Sequence, residues 1–66
     1  MKLVVNGKEQ EMEDGSTVRQ LLATLGLDRD GIAVAVDRRV VPKSAHGETT
    51  LSNGCKVEII RAVGGG

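Results

Sequence analysis

The chain has 66 residues and no aromatic side chain, and its nine Lys/Arg balance nine Asp/Glu to a formal net charge of zero. That makes one small domain with a core of Val, Leu, Ile, Met and Ala, burying only about 60% of its unfolded surface, too little for a deep substrate pocket of roughly 300–1,000 Å³. An autonomous enzyme is therefore not expected, and neither a basic excess nor stacking aromatics point to nucleic acid. No apolar run approaches the ~20 residues of a bilayer span, and no signal-peptide pattern opens the chain. The single cysteine excludes an internal disulfide, so a soluble cytoplasmic protein with no membrane association is expected.

Lys2-Leu3-Val4-Val5-Asn6 reads as a first strand, and Asn6-Gly7 is a two-residue hairpin signal because both residues tolerate positive φ. The return strand, Lys8 to Glu13, is so polar that it belongs at a sheet edge, where charge discourages further pairing. Asp14-Gly15-Ser16-Thr17 turns the chain into a helix that either Ser16 or Thr17 can cap. Val18, Leu21, Leu22 and Leu25 form one apolar stripe at helical spacing, Arg19, Gln20 and Thr24 face outward, and Gly26 ends the helix.

After a polar link, Ile32-Ala33-Val34-Ala35-Val36 alternates large and small, so Ile32, Val34 and Val36 point at the helix. Asp37-Arg38-Arg39 turns the chain, and Val40-Val41 is a short strand that Pro42 confines to an edge. Lys43 to Thr50 has no periodicity and reads as a surface loop with Leu51 as its anchor. Ser52-Asn53-Gly54 is a further turn before a last strand, Lys56 to Ala62, with Val57 and Ile59 inward.

A helix between the hairpin and the later strands is a crossover, so some strands pair in parallel, with the apolar first, third and last strands central. The order predicts an α+β fold, a ubiquitin-like β-grasp whose mixed sheet of four to five strands is covered on one face by one helix. Residues 1–62 would form the domain and 63–66 a flexible glycine tail. If Leu3, Val5, Val34, Val36, Val57 and Ile59 face the helix, then Val4, Ala33, Ala35 and Ile60 share the open face. With Val63 beside them, they are candidates for a partner surface; the alternative is ordinary small apolar groups on a surface.

No catalytic residue of the chain's own stands out. Cys55 has only Lys56 beside it to favour a thiolate and reads as structural. One His (His46) and one Cys fall short of the roughly four ligands of a zinc site, so no metal is expected. The closing Gly64-Gly65-Gly66 lacks the following helix that a phosphate-cradling loop requires. What remains is the carboxylate of Gly66, which becomes reactive once an acyl-phosphate anhydride is made from it with ATP. Without side chains, the three glycines could thread a narrow channel and reach roughly 10 Å beyond the strand. The residues alone also allow a frayed terminus of no consequence.

The chain resembles the ThiS family of sulfur carrier proteins of thiamine biosynthesis over nearly its whole length. The resemblance rests on Leu3-Val4-Val5-Asn6-Gly7-Lys8, Thr17-Val18-Arg19-Gln20-Leu21-Leu22, Ile32-Ala33-Val34-Ala35-Val36, Val40-Val41-Pro42, and the ending Val57 to Gly66. Their order and spacing carry it, not any one piece. It implies that a ubiquitin-activating-like adenylyltransferase of the ThiF type adenylates Gly66 with ATP. A persulfide sulfur donor then replaces AMP to leave a thiocarboxylate, and a thiazole synthase of the ThiG type accepts the sulfur. Gly65 and Gly66 would be the functional pair with Gly64 as spacer, and the protein a co-substrate that binds no cofactor itself.

One departure is Asn53-Gly54-Cys55, where the family commonly reads Asp-Gly-Asp. The same fold and terminal Gly-Gly would also suit a small subunit of molybdopterin synthase, a carrier for tRNA thiolation, or a protein-conjugating modifier. A β-grasp interaction module would use the fold without the tail. A ferredoxin on this fold would need four cysteines and is excluded.

Overall fold

The computed structural model describes residues 1–61. Strands β1 (Lys2–Val5), β2 (Lys8–Glu11), β3 (Ile32–Val36), β4 (Arg39–Val41) and β5 (Lys56–Arg61) form one sheet in the order β2-β1-β5-β3-β4. The β1–β5 pair is parallel and the others antiparallel. The apolar strands are central and charged β2 is at an edge, as their composition predicts. The anticipated last residue of β5, Ala62, and the boundary with residues 63–66 lie outside the described residues.

Helix α1 (Val18–Thr24) covers one face of the sheet. Its Val18, Leu21 and Leu22 join Leu3, Val34, Val41, Leu51, Cys55 and Val57 in the core, with Met1, Val5, Met12, Ile32, Val36 and Ile59 half-buried around it. Seven residues do not make a helix that holds alone in water, so its ends must be satisfied from outside. Thr17, not Ser16, is the cap: Thr17 Oγ1 accepts from the Gln20 N–H (3.2 Å), and Gln20 Oε1 accepts from the Thr17 N–H (2.8 Å). Ser16 instead donates through its hydroxyl to Glu13 O at 2.7 Å. Two further N–H groups of the first turn donate outward, Val18 to Thr49 O (3.0 Å) and Arg19 to His46 O (2.9 Å).

Those two bonds add to the reading of residues 43–50 as a surface loop anchored by the buried Leu51. Lys43–Ala45 is a 3-10 turn, and Ala45 O accepts from the Glu48 and Thr49 N–H groups and the Thr49 hydroxyl. His46 is buried, with its Nε2 3.1 Å from Val41 O. The segment carries no periodicity because its order comes from capping α1 and not from repeating contacts of its own.

Two smaller corrections concern element ends. β2 stops at Glu11 rather than Glu13, because the Met1–Met12 backbone pair is the last rung before the turn at Asp14. Leu25, expected on the buried stripe, is the C-cap of α1 and 37% exposed, since the helix ends before it can turn that side chain under.

Both hairpins turn on two residues of positive φ: Asn6 (49°) with Gly7 (81°), and Asp37 (50°) with Arg38 (68°). Asn, Gly and Asp accept that conformation, whereas an arginine there brings its Cβ too close to the following carbonyl oxygen, at a cost of roughly 1–2 kcal/mol. Arg38→Gly is therefore expected to raise the unfolding free energy by about 0.5–1 kcal/mol in a urea titration, after the greater unfolded-state entropy of glycine is deducted.

Candidate functional site

The site is organised by β5, the middle strand of the sheet. Two turn residues fasten it through their side chains, and a third ties down the turn before it. Asp37 Oδ1 accepts from the Lys56 N–H at 2.9 Å, at the strand's start. Asn53 Oδ1 accepts from the Lys2 N–H at 2.8 Å, tying the preceding turn to β1. Asn6 brackets Ile59 near the strand's end: its Oδ1 accepts from the Ile59 N–H (2.8 Å) and its Nδ2 donates to Ile59 O (3.2 Å). The strand is thus held at both ends before the chain passes Arg61 toward the glycines.

The sheet face away from α1 carries the residues expected to meet a partner. Val34 is 1% exposed, so its neighbours Ala33 and Ala35 point to the open side. The register sets Ala33 opposite Ile60 and Ala35 opposite Glu58. Ala33, Ala35 and Ile60 therefore lie together, with Ile60 61% exposed. Val4 is on the same face but apart from them, opposite Lys56 across the parallel pair and Glu9 on β2, so charged positions of β5 divide it from the patch. Val63 lies outside the described residues, as do Gly64, Gly65 and Gly66.

The open face also holds Val40, which sequence reasoning missed. It lies opposite Ala35 and is 78% exposed, more than any other large apolar side chain described. The signal was present in the hairpin: a two-residue Asp37-Arg38 turn pairs Val36 with Arg39 and hence Ala35 with Val40. A three-residue turn through Arg39 hides that register.

The other candidates have structural settings. Cys55 is 4% exposed and belongs to the core, in keeping with a structural thiol; its N–H donates to Ser52 O (3.2 Å) and its carbonyl accepts from the Val4 N–H (3.0 Å). His46 is buried with its Nε2 3.1 Å from Val41 O, at the end of β4. A surface depression beside α1 is lined by Arg19, Asp28, Arg29, Lys43 and His46. Two of its cations are paired, Arg19 Nε 3.5 Å from Asp28 and Lys43 with Asp30. The hydrogen bond and charge of Lys43 hold the exposed Asp30 carboxyl below the usual carboxylate range. Among the described residues no three His, Cys, Asp or Glu side chains gather as a metal site, and no helix is long and apolar enough to cross a membrane.

Comparison with known proteins adds to this geometry. The model of the ThiS family matches residues 2–66. A thiazole synthase of Paramagnetospirillum magneticum is 41% identical over all 66 residues, although the chain spans only 20% of that protein's length. The sulfur carrier protein ThiS of Escherichia coli is 24% identical, with 100% of both chains covered. The crystal structure of the thiamine biosynthesis protein (ThiS) from Geobacter metallireducens superposes with a TM-score of 0.85 at 30% identity, covering 100% of both chains. The five-stranded mixed sheet with its covering helix is thus the ubiquitin-like β-grasp expected from the order of elements.

The burial of Cys55 has a direct consequence. The folded protein should resist iodoacetamide under conditions in which the urea-denatured chain is fully alkylated. Cys55→Ser should lower stability by about 1–3 kcal/mol, the cost of burying a hydroxyl in an apolar setting. Rapid alkylation of the folded form would contradict the core placement.

Proposed function

The chain belongs to the ThiS family, and from that premise we propose that it is a sulfur carrier in thiamine biosynthesis whose reacting group is the carboxylate of Gly66. In this reading a ThiF-type adenylyltransferase joins the carboxylate to AMP from ATP and releases pyrophosphate. A persulfide then attacks the acyl carbon and expels AMP, and a thiol reduces the resulting acyl disulfide to the thiocarboxylate. A ThiG-type thiazole synthase takes the sulfur. The protein is a co-substrate throughout; ATP is bound by the activating partner.

The observation that carries the reading is the family match over residues 2–66, a span that includes every glycine of the closing run. Two features support it physically. Arg61 ends the central strand and in sequence directly precedes Ala62-Val63-Gly64-Gly65-Gly66, and acyl activation by another enzyme demands no catalytic side chain from the carrier itself. A thiazole synthase as acceptor is supported by the 41% identity to part of a protein of that name.

The open-face patch around Ile60, with Ala33, Ala35 and Val40, is the proposed contact for the activating enzyme, and Val4 and Val63 would meet its margin. The patch spans β3, β4 and β5, and its Ile60 lies on the strand that leads to the reacting group. An interface core of this kind concentrates its binding energy in a few buried apolar side chains.

Two experiments test these statements. Mass spectrometry of protein from sulfur-replete cells should find a fraction with one C-terminal oxygen exchanged for sulfur, and the same spectrum reads whether Gly66 is the chain's end. Removing Gly65 and Gly66 should abolish that exchange and leave the thermal unfolding curve unchanged; a shortened protein that still supports thiazole formation refutes the reading. Separately, Ile60→Glu should weaken binding to the activating enzyme by roughly tenfold or more, with little loss of stability because the side chain faces solvent. Unchanged affinity would remove the open face from the proposal.

A further inference from the structure

The register of the parallel pair sets Val4 beside Lys56 and Val5 beside Val57. At Asn6 the chain turns away into the first hairpin, yet β5 continues to Arg61. On that side β5 would lose its backbone partner after Val57. Asn6 fills the gap: its own N–H donates to Val57 O at 2.9 Å, and its side-chain amide then exchanges two hydrogen bonds with Ile59. The amide offers Ile59 the donor and acceptor that another strand residue would offer. On the far side Ile59, Ile60 and Arg61 pair with Val34, Ala33 and Ile32.

Neither the turn nor solvation explains this choice of residue. Asp-Gly or Gly-Gly would make the same two-residue turn, so the turn alone asks for no amide. Asn6 is exposed, so water could satisfy the Ile59 N–H and carbonyl equally well. What water cannot do is fix where the strand points. A planar group carrying one donor and one acceptor, held at both, does so.

We propose that Asn6 is a positioning residue for the transfer chemistry, its amide setting the direction in which β5 hands the chain on to the glycine segment. The inference rests on the sulfur-carrier reading. Glycine has no conformational preference with which to aim a chain, so the aim falls to the residues that precede the glycine run. Displacement of a reacting group by about 1 Å can cost up to ~100-fold in rate. Asn6 touches no reacting atom and acts through Ile59.

The test uses Asn6→Gly and Asn6→Asp, both of which tolerate the positive φ of the turn. Glycine removes both side-chain bonds; aspartate keeps an acceptor for the Ile59 N–H and sets a carboxylate oxygen against the Ile59 carbonyl. Pyrophosphate release by the activating enzyme is followed with ATP saturating and the carrier varied. The expected result is a kcat lower by about tenfold for Asn6→Gly, within the range that misplacement costs. KM for the carrier should stay within about twofold of wild type, since the docking face is untouched. Asn6→Asp should fall between the two. Hydrogen exchange should quicken at the Ile59 amide while the amides of Leu21 and Val34 keep their protection, which separates loss of the clamp from loss of the fold. Faster Ile59 exchange with unchanged kcat overturns the proposal, and so does a rise in KM with kcat intact, which would make Asn6 a docking residue. A wild-type protein that supports no pyrophosphate release overturns the carrier reading itself, an outcome distinct from equal rates in wild type and variants.

Discussion

The parallel pairing of β1 with β5 is the interaction on which the other features depend. It joins segments more than fifty residues apart, as the Asn6–Ile59 and Lys2–Asn53 bonds record with separations of 53 and 51 residues. On one side of it lie the first hairpin and α1; on the other, β3 and β4. Each half has an apolar surface it cannot bury alone. Bringing Leu3 beside Val57 and Val34 makes the floor onto which Val18, Leu21 and Leu22 close. A core of this kind is built from non-local contacts, whose loop-closure entropy is spent before any of them stabilises the fold. It accounts for the density of side-chain bonds along β5, since the strand that closes the longest loop gains most from fixed register.

The same constraint explains the economy of α1. A seven-residue helix in a protein without aromatics has little surface to bury, and its N-terminal donors would be left over if nothing met them. The segment from Lys43 to Leu51 meets them, with His46 O and Thr49 O as acceptors and the Leu51 N–H returning to Ser16 O at 2.8 Å. The His46 ring also lies 3.1 Å from Val41 O, so one residue meets the helix through its backbone and the end of β4 through its ring.

Much of this architecture was legible in the residues. Period-two alternation located β1, β3 and β5, the i, i+3, i+4 pattern located α1, and Asn6-Gly7 located the first turn. Polarity alone put β2 at the edge. What could not be read was any property that depends on which distant residue ends up alongside. Asn6, Asp37 and Asn53 are visible as turn formers because that role is local; their bonds to or beside β5 exist only after the sheet has assembled. His46 in a polar stretch has no local sign of burial, and neither does Cys55 beside a glycine, although both are buried in the fold. Val40 was concealed by one residue's uncertainty in turn length, which is enough to exchange the two faces of a strand. Of the candidate site, the open face was therefore legible in part, and the fastening of β5 not at all.

The two properties proposed for β5, docking and aiming, are joined by the geometry of a strand. Successive side chains point to opposite faces, so Ile59 is half-buried toward α1 while Ile60 stands on the open face. A partner that grips Ile60 holds the chain one residue from the backbone group that Asn6 fixes, a distance of about 3.4 Å along the strand. No hinge separates the two. Pairing of Ile60 with Ala33 and of Arg61 with Ile32 keeps the interval rigid on the β3 side, and the amide of Asn6 supports it from the β1 side. A surface elsewhere on the domain, such as the charged depression beside α1, would have to transmit position through the core before it reached the end of β5. A partner docked on the open face would hold the strand itself, so the orientation in which it docked would already be the orientation in which it received the chain beyond Arg61.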